Sequence, residues 1–539
     1  MHSPTPETSL TSASAGDTEV EVSRDSLPNG LAPPEGDRGV QWITVAVLVL
    51  TALAAFLRLY RLGHLPPSLF VDEVWSSYAS HFVFGPNILH WPLAALMSQF
   101  FSGQLYQHTI VGSSVFWTRF PAALFGTLCV PLTYAVGRRI AGRSVGLLAA
   151  AAMVASPWAL QFSRYAVPGG AQATFYCLAF VLAVEHLTQS GQKRYLPLVV
   201  LAGVGFVSMS GSAKIFFLLF GPIYLALRWR AIWAKGLRFV AITACSLTAV
   251  VVCMGLELVL TAPPSSTGTQ IVSSVYSYFF FNQPGSFAWN LLGVFYRYNL
   301  HWGLSFLLLV GDHNVKYSTG FGGELGLLAP FTYVGLIIAS GRMRDPRYGV
   351  LVAWALLWPI PSSLVVPNNP NAIRGEFGLP AMLLLAAIGM CEAGRFISRR
   401  YWVRSALVST VILSSSVFAC VGYFVVWPSR PGLGSQFSCG YSTAASRIEK
   451  LPRGPVIVQD RWIVYGMLEF YGVTHRQVVV VAPGLSPASA LTGPGHKYLL
   501  TSYPATIPSL WAQGFEVEPL ASFTCSRGRT LSLARVFRP

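Results

Sequence analysis

Charge is what this 539-residue chain has least of: 11% of its residues are Asp, Glu, Lys or Arg, against 53% hydrophobic. A soluble globular protein carries about 25% charged residues. With a mean hydropathy of +0.52 over the whole length, water on every side is excluded. Acid is scarcest: 21 acidic residues face 37 basic ones, a net charge of +16, and seven of those acids fall in the first 40 positions. The eight cysteines show no metal-ligand spacing, and there is neither a Gly-rich phosphate loop nor an internal repeat. Zinc modules, nucleotide-binding P-loops and repeat architectures are therefore set aside.

What is present is a succession of apolar runs. Residues 1 to 40 are polar and rich in Ser, Pro, Thr and Gly, which reads as a disordered cytoplasmic tail. No cleavable signal peptide is evident, and the first apolar run, Trp42 to Leu57, reads as a signal anchor. Further runs lie near 117–136, 145–162, 171–188, 196–211, 215–228, 239–260, 325–341, 349–362, 377–393 and 405–427. About 20 mostly apolar residues cross the hydrocarbon core, so the expectation is an α-helical polytopic membrane protein with about eleven transmembrane helices. The short runs 196–211 and 215–228 could instead form one re-entrant hairpin.

The basic residues then act as a topology signal. With the tail in the cytoplasm, Arg138, Arg139, Arg143, Lys193, Arg194, Arg228, Arg230, Lys235, Arg238, Arg342, Arg344, Arg347, Arg395, Arg399, Arg400 and Arg404 share one side, in short loops. The opposite loops hold only Arg61, Arg119, Arg164, Lys214, Arg297, Lys316 and Arg374, spread over longer sequence. This placement, and not the net charge, argues against nucleic acid as a partner. The expected organisation is a membrane domain over 41–427, with long outer loops near 60–116 and 261–324, and a small extracytoplasmic α/β domain over 428–539. Phe287 to Leu309, apolar but broken by Asn290, Arg297, Asn299 and His301, reads as a helix at the interface or partly re-entrant. In the C-terminal part, Pro455 to Gln459, Gln477 to Val481, Lys497 to Leu500 and Leu531 to Phe537 read as strands, and Arg461 to Tyr471 as a helix.

Among the acids outside the tail, Asp72, Glu73, Glu257, Asp312, Glu324 and Glu376 lie near the outer ends of the apolar runs. Carboxylates near hydrocarbon are costly and tend to mark function. Asp72 and Glu73 are adjacent, follow Pro66-Pro67, and fall where a second helix would start; simple helix capping is the bland reading. Arg164, Lys214 and Arg374 sit at outer ends of apolar runs, where they could clamp a phosphate or merely snorkel to headgroups; Lys316 and Arg297 are weaker candidates. The loop-one aromatics Trp75, Tyr78, Phe82, Trp91, Tyr106 and Trp117 fit an interfacial belt, and His64, His81, His90 and His108 lack ligand spacing. Cys439 and Cys525, both in the polar C-terminal part, could pair in an oxidising compartment; two free thiols are the alternative.

A first run ending Leu57-Arg-Leu-Tyr-Arg-Leu, then prolines and Asp72-Glu73, resembles the opening of GT-C membrane glycosyltransferases. By pattern it is most similar to protein O-mannosyltransferases and the aminoarabinose transferases of lipid A. Gly311-Asp-His-Asn-Val-Lys-Tyr and Pro367 to Pro380 resemble segments of bacterial members of that group. The resemblance covers roughly 42–427 as a layout. It implies a polyprenyl-phosphate sugar donor and an extracytoplasmic acceptor that is protein, lipid or glycan. It further implies Asp72 as the base, Glu73 as a supporting or metal-binding group, donor-phosphate contacts from Arg164, Lys214 and Arg374, and inversion at the anomeric carbon. Some such enzymes use a divalent metal ion, for which Asp312 and His313 are candidate ligands here. Two other classes compete. A transporter or flippase of lipid-linked sugars would show paired halves and mid-membrane acids. A scaffold would leave Asp72 and Glu73 without a task.

Overall fold

The computed structural model describes residues 37–70, 72–74, 93–104, 114–260, 287–365, 369–438, 440–459, 467–468, 471, 473, 477–481, 485–491, 495–524 and 530–537. Cys439, Cys525, Trp75, Tyr78, Phe82, Trp91, Tyr106, His81, His90, His108 and most of the expected 461–471 helix lie outside these residues, as does the side chain of Glu257.

Up to residue 429 the described chain is helical. Among the described residues six helices are long and apolar enough to cross a membrane: Gln41–Leu59, Val115–Ala141, Ala171–Ser190, Gly211–Trp233, Ile373–Ile397 and Tyr401–Ser429. Shorter apolar helical segments include Arg143–Ala155, Leu196–Val207, Arg238–Val252, Ala329–Gly341 and Pro346–Leu357. The chain is therefore multi-pass. Gly211–Trp233 spans 23 residues, longer than the 215–228 expected. It absorbs the interior Pro222 and continues through Arg228 and Arg230, which a helix tolerates because a charged side chain at its end reaches polar surroundings. A helix of that length is a poor limb for the short re-entrant hairpin considered above.

Small residues set the helix spacing. A Cβ on Gly335 would stand 1.9 Å from the Leu385 carbonyl oxygen, and one on Gly389 2.0 Å from that of Phe331. The Ala329–Gly341 and Leu379–Ile397 helices thus meet backbone to backbone. The Phe287–Trp302 helix turns Trp289, Leu291, Leu292, Phe295 and Tyr296 outward and buries Asn290 and His301. That amphipathic split suits the expected interfacial helix. Arg297 Nε donates to the Ser363 carbonyl at 2.7 Å and Tyr298 to that of Leu356 at 2.9 Å, which ties the helix to the neighbouring turn.

The C-terminal part builds one five-stranded sheet from β1 (Val456–Gln459), β2 (Val478–Val481), β3 (Lys497–Thr501), β4 (Glu516–Thr524) and β5 (Thr530–Phe537), in the order β2-β1-β3-β5-β4. β1 runs parallel to β2 and β3, whereas β5 is antiparallel to β3 and β4. Strand side chains alternate between faces. Val456, Val458, Tyr498, Leu500, Leu531 and Leu533 share one buried cluster, and Ile457, Leu499 and Val536 share another with Leu510 and Phe515. β4 escaped the sequence reading because its apolar positions are sparse and Pro519 interrupts it. The first cluster also contains Leu69 and Val74, which flank Asp72 and Glu73.

Candidate active site

Asp72 and Glu73 stand side by side in a short helical turn and meet different fates. Glu73 is fully buried. Its Oε1 accepts from Arg119 Nε at 2.8 Å and from the Ala166 amide at 3.0 Å. Its Oε2 accepts from Arg119 Nη2 at 2.9 Å and from the Phe70 amide at 2.8 Å. A forked guanidinium on a carboxylate fixes direction as well as distance. The remaining Arg119 N–H groups donate to the carbonyls of Leu62, Pro66 and Ser68, so this one cation holds the whole turn that follows the first helix. Asp72 is exposed, and no hydrogen bond holds its carboxylate among the described residues. Capping does not account for it.

Arg164 also serves the loop. Buried, it donates to the carbonyls of Leu57, Arg58 and Tyr60 at 2.7 Å and of Leu65 at 3.0 Å. It lies over the rings of Tyr423 and Phe424, 5.1 and 5.2 Å from their centroids. The last carbonyls of a helix need such donors. Snorkelling fails for Arg164, and so does an open phosphate clamp, since both terminal nitrogens are committed to backbone.

The loop after Leu309 is held by acids. Asp312 Oδ1 accepts from the Asn314 amide at 2.8 Å and Oδ2 from the Ala372 amide at 2.9 Å. Glu324 Oε1 accepts from the Asp312 amide at 2.9 Å. Gly311 has φ of +82°, and a Cβ there would come within 2.8 Å of that Glu324 oxygen, so glycine is required on both counts. Asp312 thus joins the 311–324 loop to the 371–374 turn, bringing Lys316 and Arg374 together. Lys316 Nζ stands 3.7 Å from the Phe70 ring centroid and 4.7 Å from that of Tyr317. Arg374 is half-buried, and its Nη1 has no hydrogen-bond partner. Glu376 is buried beside Gly170, with Oε2 unpartnered. Lys214, half-buried, opens the Gly211–Trp233 helix, away from the Asp72 turn in sequence.

Burial pushes the Asp72 carboxyl above its ordinary range; Lys316 opposes that and Glu73 reinforces it. Burial lowers Lys316 to about 8, against the pull of Asp72 and Asp312 and with help from Arg374. Burial raises Asp312 to about 6, although its two amide bonds, His313 and Arg374 work the other way. Lys316 therefore feels Asp72, Asp312 and Arg374, whereas the charges acting on Asp72 are Lys316 and Glu73. His313 is exposed, and both Asp312 oxygens accept amide hydrogens. Among the described residues no three His, Cys, Asp or Glu side chains converge as metal ligands. These residues do not fit a metal ion, and no step below uses one. Arg119 was legible only as an outer-side cation; the signal that could have singled it out was the shortage of buried cations able to neutralise Glu73.

The described helices and the C-terminal sheet share their fold with solved GT-C membrane glycosyltransferases. ArnT from Cupriavidus metallidurans bound to undecaprenyl phosphate superposes with a TM-score of 0.57 at 14% identity, covering 92% of this chain and 97% of the other. The apo form of that ArnT gives 0.54 at 12% identity, covering 92% and 98%. The Archaeoglobus fulgidus oligosaccharyltransferase in its apo form gives 0.50 at 14% identity, covering 82% of this chain and 64% of the archaeal one. Within that class, residues 94–254 match the family model described as dolichyl-phosphate-mannose-protein mannosyltransferase. No curated protein sequence matches the chain.

Proposed function

We propose that the protein transfers a sugar from a polyprenyl-phosphate carrier to an acceptor hydroxyl outside the cytoplasm, with inversion at the anomeric carbon. The observation that carries this reading is the division of labour in the Asp72–Glu73 pair. Glu73 is consumed by Arg119, whereas Asp72 keeps an open carboxylate that the Lys316 ammonium acts on, and Arg374, which acts on Lys316, has one buried nitrogen unpartnered. In the proposed step the acceptor oxygen attacks the anomeric carbon while its proton passes to Asp72. The bond between that carbon and the phosphate oxygen breaks, and the polyprenyl phosphate leaves carrying the negative charge. A carboxylate within reach of the hydroxyl supplies general-base catalysis. Lys316 and Arg374 stabilise the charge that develops on the leaving phosphate. Arg164 and Glu73 position the loop: for Glu73 this is the supporting role the resemblance implied, and for Arg164 it takes the place of a donor-phosphate contact. The carrier-bound state of the Cupriavidus ArnT suits a phosphate-carrier donor here.

The reading also requires topology: the N-terminal tail in the cytoplasm and both Asp72 and the sheet outside, as the placement of basic residues implies. The test is incubation of the purified protein with a panel of radiolabelled polyprenyl-phosphate sugars and membrane extract. Label appearing in a new covalent product, lost in Asp72→Asn, supports the proposal. Translocation of intact lipid-linked sugar across vesicles without a product would replace it with the flippase reading.

A further inference from the structure

Asp72 rides on a segment whose neighbours belong to the core of the C-terminal sheet. Leu69 is fully buried and Val74 nearly so, in one cluster with Tyr441, Ile448, Val456, Val458, Tyr498, Leu500 and Leu533. The Tyr471 hydroxyl lies 3.3 Å from Ser68 Oγ and is bonded to the Leu69 backbone. Phe70 packs edge-on against Phe437, centroids 6.3 Å apart, and Phe437 packs on Tyr165 and Trp427. On the membrane side Glu73 is tied through Arg119 and Ala166, Arg119 also holds the Pro66 and Ser68 carbonyls, and Lys316 sits on the Phe70 ring. The turn carrying Asp72 is thus gripped from two sides, by a guanidinium below and by the sheet domain above.

We propose that the C-terminal sheet domain is a working part of the catalytic site, with Tyr471 the positioning residue that sets where Asp72 stands relative to Lys316. The inference rests on the reading of Asp72 as the base. The physical reason is that Leu69 and Val74, on either side of Asp72, are buried in the cluster built on the sheet, so this packing fixes where the carboxylate between them stands. Removing the Tyr471 hydroxyl frees the Ser68–Leu69 end, and the Asp72 carboxyl, which already reaches the surface, moves away from the neighbours that desolvate it. Better solvation favours the carboxylate, so its titration moves to lower pH. The charged and titratable groups acting on Asp72 are Lys316 and Glu73, with Tyr317 feeling Asp72 in turn. None of them is altered by the substitutions below.

The sheet supplies its own control. Leu510 is buried in the cluster on the opposite face, with Ile457, Leu499 and Phe515, a cluster that contains no described residue of 68–74. The experiment follows the Asp72 carboxyl stretch by infrared difference spectroscopy on the full-length, detergent-solubilised protein, using Asp72→Asn to assign the band; it needs no substrate. In Tyr471→Phe and Val74→Ala the titration is expected to fall by about half a unit or more. In Leu510→Ala it is expected to stay where it is, even though that variant loosens the same domain. A titration unmoved by Tyr471→Phe and Val74→Ala overturns the proposal, and so does an equal shift from Leu510→Ala. Failure of the base assignment itself would show separately, as normal sugar transfer by Asp72→Asn.

Discussion

Two loops on the same side of the molecule are built by opposite means. The 60–74 turn is held by cations: Arg119 and Arg164 between them collect seven backbone carbonyls from Leu57 to Ser68. The 310–324 loop is held by anions: Asp312 and Glu324 collect the amides of residues 312, 314 and 372. In a chain with so few charges, most charges near the site are used to fold loops where water is scarce, because an unpaired buried backbone group is expensive. What each loop leaves over is the opposite kind of group. The cation-held turn exposes a carboxylate, Asp72. The anion-held loop presents an ammonium, Lys316, and its partner turn presents Arg374. Reactive capacity therefore shows up as charge that folding has not used.

That contrast is open to breaking. The largest effect belongs to Asp72→Asn, which should lower kcat by about 10²–10⁴-fold, the usual worth of a general base, with the thermal midpoint unchanged. Glu73→Ala should do the reverse. It leaves the Arg119 charge buried without a partner, and removing one member of a buried pair costs about 3–5 kcal/mol, visible as loss of folded protein in detergent. Arg164→Ala and Arg374→Ala separate the two kinds of cation. The first should cost about 1.5–3 kcal/mol of stability through its lost carbonyl contacts. The second should raise the KM for the lipid donor by about tenfold, roughly 1.4 kcal/mol, and leave stability alone. A donor KM raised by Arg164→Ala and not by Arg374→Ala would erase the distinction.

The finest test is pH. In the proposed step Asp72 works as the carboxylate, and burial raises its pKa, so kcat/KM should climb through a range above that of an ordinary aspartate. It should fall again as pH passes about 8, where Lys316 loses its charge. Lys316→Arg keeps a charge at every accessible pH and should remove the falling limb.

How far the sequence carried depends on the range of the interaction. Hydropathy placed helices such as Val115–Ala141 and Ala171–Ser190 because a membrane helix declares itself locally. The apolar runs of β1, β2 and β3 were equally plain, and β4 was hidden by its exposed, polar alternation. Asp72 and Glu73 stood out as a pair, but nothing local separates them. Their difference is made by Arg119, 46 residues on, and by Ala166, 93 residues on. Arg164 and Arg374 looked alike at the ends of apolar runs. Only the fold shows one enclosed by carbonyls around 100 residues away and the other with an idle nitrogen.

The most direct measurement is a side-by-side comparison of purified wild-type protein and Asp72→Asn, scoring both carrier binding and sugar transfer in a single turnover. The account predicts that the variant binds a polyprenyl-phosphate sugar as tightly as the wild type and transfers none of it. Transfer by Asp72→Asn at the wild-type rate would contradict it.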